Sequence, residues 1–445
     1  KNALGENVII QSIGASSGVI VAGAIFTLPA LYILQDKYPE ITVNFFEVFL
    51  SSLLGGILGI LLLIPFRKYF VSTMHGKYPF PEATATTQVL VSGEKGGNQA
   101  KPLIIAGLIG GLYDFIVGTF GWWSETVSTT VVGIGETLAE KAKLVMTVKT
   151  GAAVLGLGYI IGLKYSLIIC AGSFLVWLII IPLMSALFYD QVLTFGNDAI
   201  TATIGSMSPE LIFTTYARHI GIGGIATAGV IGIVKSWGII KGAVGLAAKE
   251  LKGSSNVNTE SVQRTQKDIS MKIIAIGVIV TMVITLLFFQ FGLLHNWFYA
   301  IIGLLLVGII AFLFTTVAAN AIAIVGTNPV SGMTLMTLIL ASIILVATGL
   351  SGTAGMVSAL IIGGVVCTAL SMAGGFITDL KIGYWLGSTP VKQESWKFLG
   401  TLVSAATVGG VILILNQTYG FTSGQLAAPQ ANAMAAVIEP LMLSL

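Results

Sequence analysis

Leu53-Leu54-Gly55-Gly56-Ile57-Leu58-Gly59-Ile60-Leu61-Leu62-Leu63-Ile64 decides the fold class. No side chain in this stretch is polar, and the mostly apolar run extends over 44–66. A helix that crosses a bilayer needs about 20 predominantly apolar residues. The same pattern recurs at 8–34, 102–121, 150–163, 166–188, 217–247, 271–291, 298–319, 330–349, 354–375 and 397–415. The prediction is an all-α polytopic membrane protein, a multi-span helical bundle. The run 150–163 is the shortest of the set. Residues 131–149 carry Glu136, Glu140, Lys141 and Lys143 at helical spacing and predict a surface or re-entrant helix.

Composition agrees. Hydrophobic residues make up 55% of the chain and charged ones 9%, with a mean hydropathy of +0.94. Soluble domains carry about 25% charged residues, so lipid is the solvent for most of this surface. Glycine is abundant, at 54 residues, and small residues let helices approach closely in a bilayer. Pairs such as Gly55/Gly59 and Gly107/Gly111 suit packing within the chain, or the seam of a homo-oligomer. The net charge of +3, without a dense basic patch, gives no argument for nucleic acid. Cys170 and Cys367 both sit in apolar runs and form no disulfide framework. The first apolar run is too long for a signal-peptide core.

Most Lys and Arg residues fall on the N-terminal side of the membrane when alternate loops are followed through the spans, which predicts a cytoplasmic N-terminus. Lys141, Lys143 and Lys149 run against that bias. The polar stretch 249–270 separates a first half, 1–248, from a second, 271–445. A weak echo supports an internal repeat. The Gly-Gly-led span 55–66 precedes Tyr78-Pro79-Phe80-Pro81-Glu82-Ala83-Thr84. The Gly-Gly-led span 363–375 precedes Asp379-Leu380-Lys381-Ile382-Gly383-Tyr384 and Ser388-Thr389-Pro390. Transporters built from repeats bind substrate where the repeats meet.

Ionisable side chains inside a span are costly and tend to face a cavity. Asp114 lies within an apolar run, and Arg218 and His219 follow Tyr216 one turn into another. Lys235 is read as snorkelling to an interface. Three segments are expected to break helices near polar groups: Tyr78 to Glu82, Gly326 to Met333, and Asp379 to Pro390. Irregular backbone at membrane depth requires cover by protein or a watery cavity.

Enzyme motifs are poor. Gly14-Ala15-Ser16-Ser17-Gly18 matches a nucleophile elbow, but it sits in a helical run and not at a strand-to-helix turn. An intramembrane serine hydrolase using Ser16 is therefore the weaker alternative, and no enzyme is expected. Gly221-Ile222-Gly223-Gly224-Ile225-Ala226 lacks the surrounding βαβ unit of a dinucleotide site. No Walker A sequence is present, and His75, His219 and His295 are far apart, so neither a cofactor nor a metal site is expected.

The helix-breaking segments also carry a resemblance. Tyr78-Pro79-Phe80-Pro81-Glu82-Ala83, Asn328-Pro329-Val330-Ser331-Gly332-Met333-Thr334 and Asp379-Leu380-Lys381-Ile382-Gly383-Tyr384 resemble the signatures of the oligopeptide transporter (OPT) family. Gly387-Ser388-Thr389-Pro390 with Lys392-Gln393, Gly156 to Gly162, Tyr216 to Gly221 and Leu426 to Ala431 add to it, in the same order along nearly the whole chain. Thr84 and Gln88 stand where family members often have Gly and Glu. The Lys-Ile-Pro-Pro-Arg stretch of the fungal and plant peptide branch is absent, so the chain is nearer the prokaryotic and yellow stripe-like branch. Family members are longer, which implies spans beyond both ends of this chain.

The resemblance implies a symporter in the plasma membrane (the inner membrane in a bacterium). It would bring short peptides or peptide-like metal chelates into the cytoplasm with protons. Glu82 and Asp379 are the first candidates for the proton-linked carboxylate, with Asp114 behind them. Arg218 is the candidate partner for a substrate carboxylate, because guanidinium suits bidentate recognition. Asn328 and Ser331 are candidates for hydrogen bonds to peptide groups, and Tyr216 and Tyr384 for lining the cavity. A carrier of metal chelates alone, coupled to another ion, is the alternative within the class.

Overall fold

The computed structural model describes residues 3–96, 98, 100–194, 201–251, 263–326, 330–422 and 428–443. Asn328 and residues 252–262 of the 249–270 segment lie outside these, as does the side chain of Ser331.

The chain is helical nearly throughout. The helices are α1 (Leu4–Thr27), α2 (Pro29–Lys37), α3 (Phe45–Arg67), α4 (Pro81–Lys95), α5 (Ala100–Phe115) and α6 (Gly133–Lys141). They continue as α7 (Ala152–Ile161), α8 (Leu163–Phe174), α9 (Ile181–Leu187), α10 (Pro209–Ile212), α11 (Arg218–Leu251) and α12 (Met271–Phe288). The remainder are α13 (Trp297–Val325), α14 (Val330–Ala347), α15 (Gly352–Leu386), α16 (Pro390–Thr418) and α17 (Pro429–Leu443). Among the described residues, 8 stretches are long and apolar enough to cross a membrane. The protein is a multi-pass integral membrane protein, as its hydropathy predicts.

Contacts divide the chain into two compact units: residues 1–90 with 225–445, and residues 91–224. In the first, α15 is the central post. Of its most apolar stretch, 94% is buried, against α1, α3, α13 and α14. Glycine makes that approach possible. A Cβ on Gly55 or Gly59 would overlap the carbonyl oxygens of Val365 and Ala369 on α15. This glycine pair packs helices within the chain. In the second unit, a Cβ on Gly107 or Gly111 would meet nothing within 4 Å. There, β1 (Thr126–Ser128) pairs antiparallel with β2 (Thr147–Lys149) around α6. The predicted surface helix over 131–149 is thus confined to Gly133–Lys141. The β-branched residues Thr126, Val127, Thr147 and Val148 favour the strands that flank it.

The expected break from Asp379 to Pro390 is corrected. Helix α15 runs without interruption to Leu386, and the turn is Gly387, Ser388 and Thr389 alone. Gly387 ends α15 in the left-handed region at φ +73°, and Pro390 opens α16 at its first turn, each where that residue is favoured. Arg264 clamps the turn, donating to Thr389 Oγ1 at 2.7 Å and to the Gly387 carbonyl at 3.0 Å. The break before Glu82 is observed. Phe80 is held at φ +43° with its N–H on the Ala323 carbonyl at 2.9 Å, and Pro81 then starts α4.

Candidate substrate cleft and its buried charges

A cleft of about 540 Å³ opens in the first unit between α1, α4, α13 and α15. One wall is the small-residue face of α1, including Gly14, Ala15 and Gly18, where the lack of bulk leaves the space. Its acidic side chains are Glu82, in the first turn of α4, and Asp379, on α15. The size falls within the range of small-ligand sites, which run to several hundred Å³.

Asp379 is 2% exposed. Its carboxylate collects three donors. Lys397 Nζ lies 2.6 Å and Ser12 Oγ 3.2 Å from Oδ2, and Gln11 Nε2 lies 3.0 Å from Oδ1. Lys397 is fully buried, donates also to the Ser12 carbonyl at 2.7 Å, and sits over the Phe376 ring. Gln393 Nε2 donates to the Asp379 backbone carbonyl at 3.1 Å. Removing one partner of such a buried pair costs about 3–5 kcal/mol, because it strands the other charge.

Glu82 is open to the cleft and forms no ion pair among the described residues. Enclosure by the cleft walls, and then the facing Asp379 carboxylate, push its carboxyl above the ordinary range. Two carboxylates at one cleft, one paired and one not, can hold and release a proton or receive a cationic group.

A second buried cation adjoins the site. Lys381 Nζ donates to the Val71 carbonyl at 2.8 Å, lies 3.1 Å from His75 Nδ1, and is ringed by Phe80, Tyr384 and Trp385. Tyr384 therefore lies against Lys381 and the His75 ring. A third group of charges joins the ends of α3 and α16. Arg67, 1% exposed, pairs with Asp268, and the fully buried Glu394 accepts the Ile269 N–H at 2.7 Å.

The structure brings Glu82 and Asp379 together in the first unit, whereas Asp114, Tyr216 and Arg218 belong to the second. Asp114 is exposed in the second unit and accepts the Ala152 N–H at 3.0 Å, which caps α7. Tyr216 is buried in that unit's core, its hydroxyl donating to the Leu193 carbonyl at 2.8 Å. Arg218 is half-buried at the start of α11. Ser16 is buried in the middle of α1, its hydroxyl on the Ser12 carbonyl of its own helix, so the elbow pattern has no strand-to-helix turn.

Sequence reasoning did not reach Gln11, Ser12 or Lys397. Lys397 reads as a loop cation beside a turn. The available signal was the repeat of polar side chains every four residues, at Gln393, Lys397 and Thr401, which puts all three on one face of α16. All three are buried.

Comparisons with known proteins agree with this architecture. A curated relative from Haemophilus influenzae, named "Putative oligopeptide transporter", is 26% identical over 477 residues, covering 97% of this chain and 69% of that protein. The sequence model described as "OPT oligopeptide transporter protein" matches residues 1–445. A match over the full length, on a multi-span bundle with a polar cleft, means that the chain belongs to the oligopeptide transporter family.

Proposed function

We propose that this chain is a secondary active transporter that imports small oligopeptides or peptide-like metal chelates by symport with protons. The observation that carries the reading is the pair Glu82 and Asp379 on one cleft, the second held by a buried lysine. Unpaired Glu82 suits the ammonium end of a peptide, and Asp379 suits the coupled proton. Arg218, Asn328, Ser331 and Tyr216 stay as proposed substrate contacts for other stages of a cycle in which the two sequence halves rock against each other. Tyr384 is proposed to act through Lys381.

Uptake of labelled tri- and tetrapeptides into proteoliposomes under an inward pH gradient, with and without iron, tests this. Accumulation should collapse with a protonophore. Glu82→Gln and Asp379→Asn should each lower gradient-driven accumulation by about tenfold or more, the equivalent of about 1.4 kcal/mol. Undiminished pH-driven accumulation in both variants would overturn the assignment. Uptake only with iron would narrow the substrate to chelates.

A further inference from the structure

Three donors from two helices converge on one carboxylate, and two of them belong to the same cleft wall. Gln11 Nε2 and Ser12 Oγ come from α1, and Lys397 Nζ comes from α16. Lys397 also donates to the Ser12 carbonyl, so α1 is tied to α15 and α16 through the Asp379 site. Around it α1 presents small residues: Gly14 and Gly18 have nothing near where a Cβ would stand, and Ser16 packs against Gly400.

We propose that Asp379 is the catch of a proton-released latch that holds α1 against α15 and α16, with Gln11, Ser12 and Lys397 as its positioning residues. This rests on the proton-coupled reading above. The anion accepts all three donors at once. The neutral acid presents an O–H that itself needs an acceptor, among neighbours that donate. The Oε1 of Gln11 is buried and without a hydrogen-bond partner. It answers that need when the amide turns over, which withdraws Nε2 from Asp379. The Lys397 contact meanwhile loses its ion pair and becomes an ammonium bonded to an uncharged carboxyl oxygen. Lys397 keeps the Ser12 carbonyl and the Phe376 ring. The proton arrives from the cleft, which Asp379 lines, and what it loosens is the wall of that cleft.

The other charged group facing Asp379 is Glu82, from α4. Lys381 lies on the same helix but is committed to Val71 and His75. Helices α13 and α14 carry no acidic or basic side chain, and Arg67 at the end of α3 is paired with Asp268. The bond from Ser371 Oγ to the Val19 carbonyl also joins α15 to α1, and it does not titrate. Helix α1 therefore loosens around residues 11–16 without leaving the bundle.

The test uses the full chain, purified, with Cys170→Ala and Cys367→Ala. Ser16→Cys places a thiol in the buried α1–α16 contact, and Ser17→Cys places one on the exposed face of the same turn. The ratio of maleimide labelling at the two positions cancels the pH dependence of the thiol. As the pH falls from about 8 to about 4, down into the ordinary carboxylate range, the ratio should rise about tenfold with Asp379 in place. With Asp379→Asn and Lys397→Gln together, which removes both charges and leaves neither stranded, the ratio should be high and flat. A flat ratio in the chain that retains Asp379 overturns the latch. So does an undiminished pH response in the doubly substituted chain. Tripeptide uptake is read separately: if it ignores an imposed pH gradient while the labelling ratio still responds, proton coupling falls and the latch stands.

Discussion

Lys381 illustrates how a charge becomes tolerable inside this bundle. A buried ammonium needs acceptors and polarisable surroundings, or it loses its proton. Here it finds a carbonyl, a histidine nitrogen and the faces of Phe80, Tyr384 and Trp385 at 5.3, 5.1 and 5.2 Å. For Lys381 to donate to His75 Nδ1, that nitrogen must be unprotonated. Lys381→Met keeps the packing and orphans the Val71 carbonyl, so it should cost about 1–3 kcal/mol, read as a lower unfolding temperature in detergent. An unchanged midpoint would show that the cage contributes nothing. Glu82 gives a prediction with a definite sign. Its folded carboxyl binds a proton more tightly than the unfolded one, so its contribution to stability is greatest at low pH. It falls as pH rises through the ordinary carboxylate range and into the range above it. Glu82→Gln should flatten that part of the stability–pH curve, and an unaltered slope would remove Glu82 as its source. Both acidic side chains of the cleft were legible in the sequence, because a carboxylate within an apolar chain is conspicuous. Their partners were not. Gln11 and Asp379 are separated by 368 positions, and no local pattern joins residues so distant.

At the scale of elements, eight of the eleven expected spans are long and apolar enough to cross a membrane among the described residues. The runs 150–163 and 330–349 hold shorter apolar helices, 217–247 is not among the eight, and one of the expected breaks is continuous helix. Hydropathy reports length and apolarity, which is what a bilayer demands of a helix. It does not report whether a polar residue inside a helix has a partner in the folded bundle. Asp379 and Lys381 look like loop residues until Lys397 and the aromatic cage compensate them. Helix α15 can then continue past both to Gly387. The glycines divide in the same way. Gly59 meets the backbone of α15, whereas Gly107 meets open space, although each sits in an apolar run. Gly59→Ala should cost about 1–3 kcal/mol by overpacking against a carbonyl that cannot move aside. Gly107→Ala should leave stability unchanged or slightly raised, since alanine is the better helix former. Equal midpoints for the two variants in detergent would mean that the α3–α15 contact is looser than the structure describes.

The whole molecule separates helices that face protein from helices that face something else. The most apolar stretch of Gly352–Leu386 is 94% buried, whereas those of Lys101–Phe120 and Leu163–Leu187 are 0% and 6% buried. Exposed Leu108, Ile109 and Leu112 on α5, and Leu167 and Ile168 on α8, have no place in water. Lipid is the expected cover, and a second copy of the chain is the alternative that the next measurement separates from it. A carbene-generating apolar photolabel dissolved in the bilayer distinguishes these covers, because it reacts with whatever the acyl chains touch. Peptides from 101–120 and 163–187 should carry label, and peptides from 352–386 should carry almost none. Protection of the two exposed stretches, with cross-linking that reports more than one chain, would place them in an oligomer seam. Label throughout 352–386 would contradict the central position of α15. That position is what puts Asp379 on the cleft wall with Lys397 behind it, out of reach of lipid.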